Sequence, residues 1–143
     1  MITLPVRDIE FIKLLIPQRE PVIMVDSLYE FDAVSLTGGL TIKGDSFLVE
    51  NQQLQASGVM EHMAQCVALH TGYTFYLQHL PAPTGYIGSI SKMEIKLLPQ
   101  VGDTLITKVT ILHEFDGITM VNISCSCNGL EIAQGEMKTV IKK

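Results

Sequence analysis

The sequence predicts an α+β protein in which a curved antiparallel β-sheet wraps one long, buried α-helix. Two observations carry that prediction. Residues 57–80 contain no proline, and their apolar side chains fall on nearly every helical face; a helix apolar most of the way round is one enclosed by other elements. Beyond Pro83 the pattern becomes strand-like and is broken by Asp116-Gly117 and Asn128-Gly129, both strong tight-hairpin dipeptides. Strands joined that tightly run antiparallel, and a helix laid on one face of such a sheet buries both.

The elements follow in order. Asp8 caps a short helix over 8–16, whose apolar stripe is Ile9, Ile12, Leu15 and Ile16 and which Pro17 ends. Residues 21–32 read as a strand through Val22, Ile23, Met24, Val25 and Leu28. Residues 33–42 read as a second, with Gly38-Gly39 marking a bulge or a close backbone approach. Gly44, Asp45 and Ser46 then break the chain. In the long helix Val59, Met63, Cys66, Val67, His70, Tyr73 and Leu77 form one stripe, while Met60, Ala64, Ala68 and Leu69 cover much of the rest. Such a helix spans about 36 Å, with Gly72 as a bend or a close packing point rather than an end. Residues 85–98 form a long strand and 99–103 a turn. An alternating strand over 104–113, then strands over 118–127 and 130–141, complete a meander.

Length and composition bound the function. At 143 residues the chain is expected to be one domain, 1–143, with enough interior to fold without metals or staples. It is 47 % hydrophobic and only 17 % charged, against an ordinary ~25 % charged. So little charge excludes a disordered chain and leaves surface suited to meeting another chain. A net charge of −5 and a pI near 5.2 lack the basic footprint of a nucleic-acid binder. Charged residues interrupt every strongly apolar run before about 18 residues, so no membrane span is expected. No basic-then-apolar leader opens the sequence. Cys66, Cys125 and Cys127 read as reduced packing thiols. Both features suit a cytoplasmic protein. No metal-ligand cluster, phosphate loop or nucleophile–base pair is visible, so neither a metal nor a cofactor is expected.

Four stretches resemble the hotdog-fold 3-hydroxyacyl-(acyl carrier protein) dehydratases of the FabZ and FabA type. Residues Ile16 to Asp26 are similar to that family's opening L-P-H-R-x-P-F-L-L-V-D, and Met60-Glu61-His62-Met63-Ala64-Gln65 to its helix motif I-E-A-M-A-Q. Residues Ile87 to Lys96 are like the strand after that helix, and Leu98 to Leu105 like its V-x-P-G-D-x-L turn. In the right order, they span about residues 15–140. The resemblance implies a hotdog fold, a substrate carried as a thioester on acyl carrier protein or coenzyme A, a homodimer or higher oligomer, and an active site built between two subunits.

That chemistry needs a histidine to abstract the α-proton and a helix carboxyl to assist the departing 3-hydroxyl. The carboxyl position falls on Glu61, the only residue with a formal charge between Asn51 and Ser91. A carboxylate left unpaired on an apolar helix is costly, which itself points to a working group. The histidine position, fourteen residues earlier, holds Phe47 in Phe47-Leu48-Val49-Glu50-Asn51. His62 is the candidate replacement, although it projects about 100° from Glu61 on the helix, and Glu50 is another. Ser57 and Gly58 either offer N–H groups to a thioester oxygen or cap the helix. Tyr86, Ile87 and Gly88 lie on the strand expected beside the helix start, where the resemblance places the pantetheine arm. Three readings stand open: a divergent dehydratase with a substitute base, a half-site completed by a histidine-bearing hotdog partner, or an acyl thioesterase or non-catalytic acyl-binding subunit.

Overall fold

A computed structural model describes residues 3–142 of the chain. The first helix, α1 (Ile9–Leu15), is capped as its sequence implies: Asp8 accepts a hydrogen bond from the Glu10 N–H at 3.0 Å. Phe11, Ile12 and Leu15 are its buried face. Next come β1 (Ser27–Asp32) and β2 (Ser35–Thr41), paired antiparallel, and a two-residue-per-strand hairpin, β3 (Val49–Glu50) and β4 (Gln53–Leu54). The long helix α2 (Ala56–Leu77) precedes β5 (Gly85–Ile95), and the meander β6 (Thr104–Phe115), β7 (Ile118–Cys127) and β8 (Leu130–Ile141) ends the chain. The main sheet has the order β1-β2-β6-β7-β8-β5, so β5 crosses over to pair with β8 alone and forms one edge. This sheet curled about α2 is the hotdog architecture.

Three local features explain the arrangement. Both hairpin dipeptides adopt the left-handed conformation their turns demand, with Asp116 and Gly117 at φ 53° and 79° and Asn128 and Gly129 at φ 53° and 76°. Gly72 is a packing point: a Cβ there would lie 1.9 Å from the Leu15 carbonyl oxygen, so the end of α1 sits directly on α2. Gly38 is likewise a close approach rather than a bulge, since a Cβ would meet Cys66 Sγ at 3.1 Å. The bulge lies opposite, in β1 between Leu28 and Glu30.

Other expectations are corrected. Residues 21–26 are not strand: the Val22 and Ile23 N–H groups close a turn on the Arg19 carbonyl, and side chains of α2 take the next backbone groups, the Met24 N–H donating to Gln65 Oε1 at 2.6 Å and Gln65 Nε2 donating to the Val22 carbonyl at 2.9 Å. Leu77 leaves the buried stripe and is exposed at the C-terminal end of α2. The hairpin β3–β4 turns through Asn51 and Gln52, at φ 52° and 64°, immediately before α2. All three cysteines are free thiols and buried, and burial pushes the Cys66 and Cys125 thiols up, Cys125 to about 11. No helix among the described residues is long and apolar enough to cross a membrane.

Candidate active site

A cavity of about 100 Å³ lies where the end of α1, one face of α2 and the start of β5 meet. Leu15, Pro17 and Gln18 form one wall; Ala64, Val67, Ala68 and Thr71 of α2 form another; Tyr86 and Ile87 of β5, both exposed, complete the lining with residues of β8. Among the described residues, Glu61 is the only charged one lining it, and no histidine reaches it. The small residues of the helix create the space. Ala64 and Ala68, one turn apart, leave a trough where larger side chains would close it.

Glu61 is half-buried, and its carboxylate is held from one turn further along α2: Gln65 Nε2 donates to Glu61 Oε2 at 2.8 Å. The same amide anchors Val22 and Met24. Every polar atom of the Gln65 side chain is therefore engaged, which fixes the orientation of the amide and holds Glu61 in the cavity lining.

His62, next in sequence, points into the core and is fully enclosed. Its Nδ1 lies 2.7 Å from the Met24 carbonyl and its Nε2 2.8 Å from Thr107 Oγ1. A carbonyl only accepts, so Nδ1 carries the proton and Nε2 accepts from the Thr107 hydroxyl. Desolvation pushes this imidazole down to about 4, against the opposing pull of the Met24 carbonyl and the Asp26 charge. His62 is thus a neutral clamp between α2, the 21–26 segment and β6, and the structure does not bring it to the Glu61 cavity.

The remaining expected residues divide. Tyr86 and Ile87 line the cavity beside Glu61, whereas Ser57, Gly58 and Gly88 do not. Ser57 is exposed within the first turn of α2, and the N-cap is Gln55, whose side chain makes no capping bond. Gly58 is buried because Leu54 and Leu48 press against it; a Cβ would fall 2.4 Å from Leu54 Cδ1. Its N–H donates to the Gln55 carbonyl. Glu50 is exposed on β3, and Phe47 lies in a separate hollow with Ile9, Asp26 and Ile42 that shares no residue with the first. The other histidines are also remote from the cavity lining, His70 being stacked on Phe31 and bonded to the Asp32 carbonyl. Sequence reasoning misses Gln65 and Gln18; the spacing of Glu61 and Gln65, four apart on a helix, is the available signal. Among the described residues no cluster of His, Cys, Asp and Glu could hold a metal.

Sheet edge and cavity are contiguous. Strand β5 carries Tyr86, Ile87 and Ile90 exposed at 55 %, 45 % and 39 %, and its outer edge has no neighbouring strand among the described residues. Two bulges, at Ile87/Ser89 and Ser91/Glu94, interrupt it.

Comparison with known proteins places this geometry in a family. The model of the ApeP-like family, described as ApeP dehydratase, matches residues 11–143. No curated protein sequence matches. Among solved structures, the dehydratase heterocomplex ApeI:P from Xenorhabdus doucetiae superposes with a TM-score of 0.85 at 15 % identity, covering 92 % of this chain and 91 % of that one. A homologue of HP0420 from Helicobacter felis gives 0.70 at 14 % identity, covering 95 % and 90 %. A hypothetical thioesterase from Streptococcus pneumoniae, solved with coenzyme A, gives 0.66 at 9 % identity, covering 80 % and 84 %. At these identities the structural likenesses establish the shared fold.

Proposed function

The chain belongs to the ApeP-like dehydratase family, and from that premise we propose that it is a single-domain, cytoplasmic dehydratase subunit acting on 3-hydroxyacyl thioesters of acyl carrier protein, in fatty-acid or polyketide-like synthesis. Glu61 is its acid, and a second hotdog chain supplies the histidine base. One observation carries this reading. Among the described residues, Glu61 is the sole charged group in the lining of a cavity to which no histidine contributes and to which the edge strand β5 contributes Tyr86 and Ile87. A chain docked along β5 lies beside Glu61, and the edge gains the strand it lacks. The similar Xenorhabdus dehydratase is a heterocomplex, which supports a different chain as partner.

The reaction then divides between two chains. The partner's base takes the proton from C2 of the thioester; the electron pair forms the C2–C3 double bond as the C3–O bond breaks. Glu61 gives its proton to the departing hydroxyl, which leaves as water. Gln65 aims the carboxyl, Tyr86 and Ile87 flank the entering thioester arm, and Ala64 and Ala68 leave room for the acyl carbons. His62, Ser57, Gly58 and Gly88 act through the fold.

The test is reconstitution. The purified chain, a histidine-bearing hotdog protein from the same organism, and their mixture are each given a 3-hydroxyacyl thioester, and both 2-enoyl product and free thiol are followed. The proposal expects 2-enoyl thioester from the mixture alone. Dehydration by this chain in isolation would show that the base is its own. Thiol release without enoyl product would assign Glu61 to water activation in a thioesterase, and no turnover in any mixture would leave an acyl-binding subunit.

A further inference from the structure

One buried polar atom stands out beside the cavity. Gln18 Oε1 is enclosed and has no hydrogen-bond partner, and it is the single such side-chain atom among the described residues. Buried acceptors are almost always satisfied, so an orphan calls for a specific reason. Its position is not an accident of a loose loop. The Arg19 guanidinium donates to the carbonyls of Lys13, Ile16 and Gln18 at 3.0, 2.9 and 2.8 Å, closing the end of α1 and fixing the turn that carries Gln18. Gln18 is therefore held against the cavity wall shared with Glu61.

We propose that Gln18 is a positioning residue that accepts the hydrogen bond of the substrate's 3-hydroxyl, turning a lone pair of that hydroxyl toward Glu61. This rests on the dehydratase reading above. A hydroxyl about to be protonated as a leaving group must accept from the acid, so its own hydrogen needs a different acceptor. Glu61 in its acid form supplies the donor, and Oε2 is already occupied by Gln65. Among the other polar side chains of the lining, Thr71, Thr139 and Tyr86 carry hydroxyls that are donors as well as acceptors, whereas an amide oxygen only accepts. The terminal torsion of glutamine is broad, so a small rotation brings Oε1 from its enclosed position to a ligand. Without ligand the oxygen stays unpaired, and substrate binding supplies the missing donor.

The experiment measures binding of two probes, 3-hydroxybutyryl- and butyryl-N-acetylcysteamine, to the chain assembled with its hotdog partner, whose histidine is replaced by alanine so that no probe turns over, and to the same assembly carrying Gln18→Met, which keeps the length of the side chain and removes the acceptor. The wild type is expected to hold the hydroxylated probe about five- to tenfold more tightly. Gln18→Met should bring that ratio to about one while leaving butyryl affinity in place. Gln18→Asn, which withdraws the oxygen by one methylene, should also lower the ratio and serves if the methionine variant misfolds. A ratio retained in both variants, or equal binding of the two probes by the wild type, overturns the role of Gln18 with thioester recognition intact. Binding of neither probe by the wild type overturns thioester recognition itself, and the role of Gln18 with it.

Discussion

Gln65 donates to Glu61 across one turn of α2 while its other amide contacts reach 41 and 43 residues back in sequence, to Met24 and Val22. One uncharged side chain thereby couples the orientation of the candidate acid to the seating of the segment that walls the core. Functional geometry and stability share an origin here, and substitutions at separate positions distinguish them.

Gln65→Leu removes three hydrogen bonds and strands the Met24 N–H in the interior. With about 1–3 kcal/mol for each buried group left unsatisfied, the variant should lose about 2–4 kcal/mol in urea unfolding. Gln65→Met, equally unable to bond, should lose a similar amount, because the polar contacts and not the packing are at issue.

His62 predicts a pH dependence. Its folded value, about 4, lies below the unfolded value of about 6.5. Above the unfolded value both states are neutral and the contribution is complete. Between about 6.5 and 4 the unfolded chain takes a proton that the folded chain refuses, so stability falls as pH falls, by about 3 kcal/mol in all. His70, also depressed by burial, adds loss in the same direction. Unfolding free energies measured from pH 7 to 4.5 should therefore slope downward for the wild type. His62→Phe should be less stable at pH 7 and should show a shallower slope.

Gly72→Ala tests the contact between the two helices. In an exposed helix this change is stabilising by about 1 kcal/mol. Here the added carbon would lie 1.9 Å from the Leu15 carbonyl oxygen, backbone that must move. The expected result has the opposite sign, a loss of about 2 kcal/mol or more in chemical denaturation.

How much of the molecule is legible in sequence depends on the range of the interactions. The meander is readable because Asp116-Gly117 and Asn128-Gly129 dictate their own turns. The long helix is readable because its apolar residues follow a local period. Glu61 is visible as a lone charge in a neutral stretch. Residues 21–26 mimic a strand because their apolar run looks like one, while the side chains that take the Val22 carbonyl and both Met24 backbone groups, His62 and Gln65, lie about forty residues away. His62 looks available for chemistry for the same reason: nothing local announces that Thr107 and the Met24 carbonyl take both ring nitrogens. Gln18 and Gln65 are invisible as site residues, since an uncharged amide in a sequence reads as surface until its neighbours are known.

In the proposed reaction Glu61 is the acid of a site whose base comes from another chain. The dehydration rate of the reconstituted pair carrying Glu61→Gln decides that role. The substitution keeps size and the capacity to bond Gln65 while removing the transferable proton. A rate lower by about 10²- to 10⁴-fold is expected, with the pair still assembled and the thioester still bound. An undiminished rate in an intact Glu61→Gln pair would contradict that role.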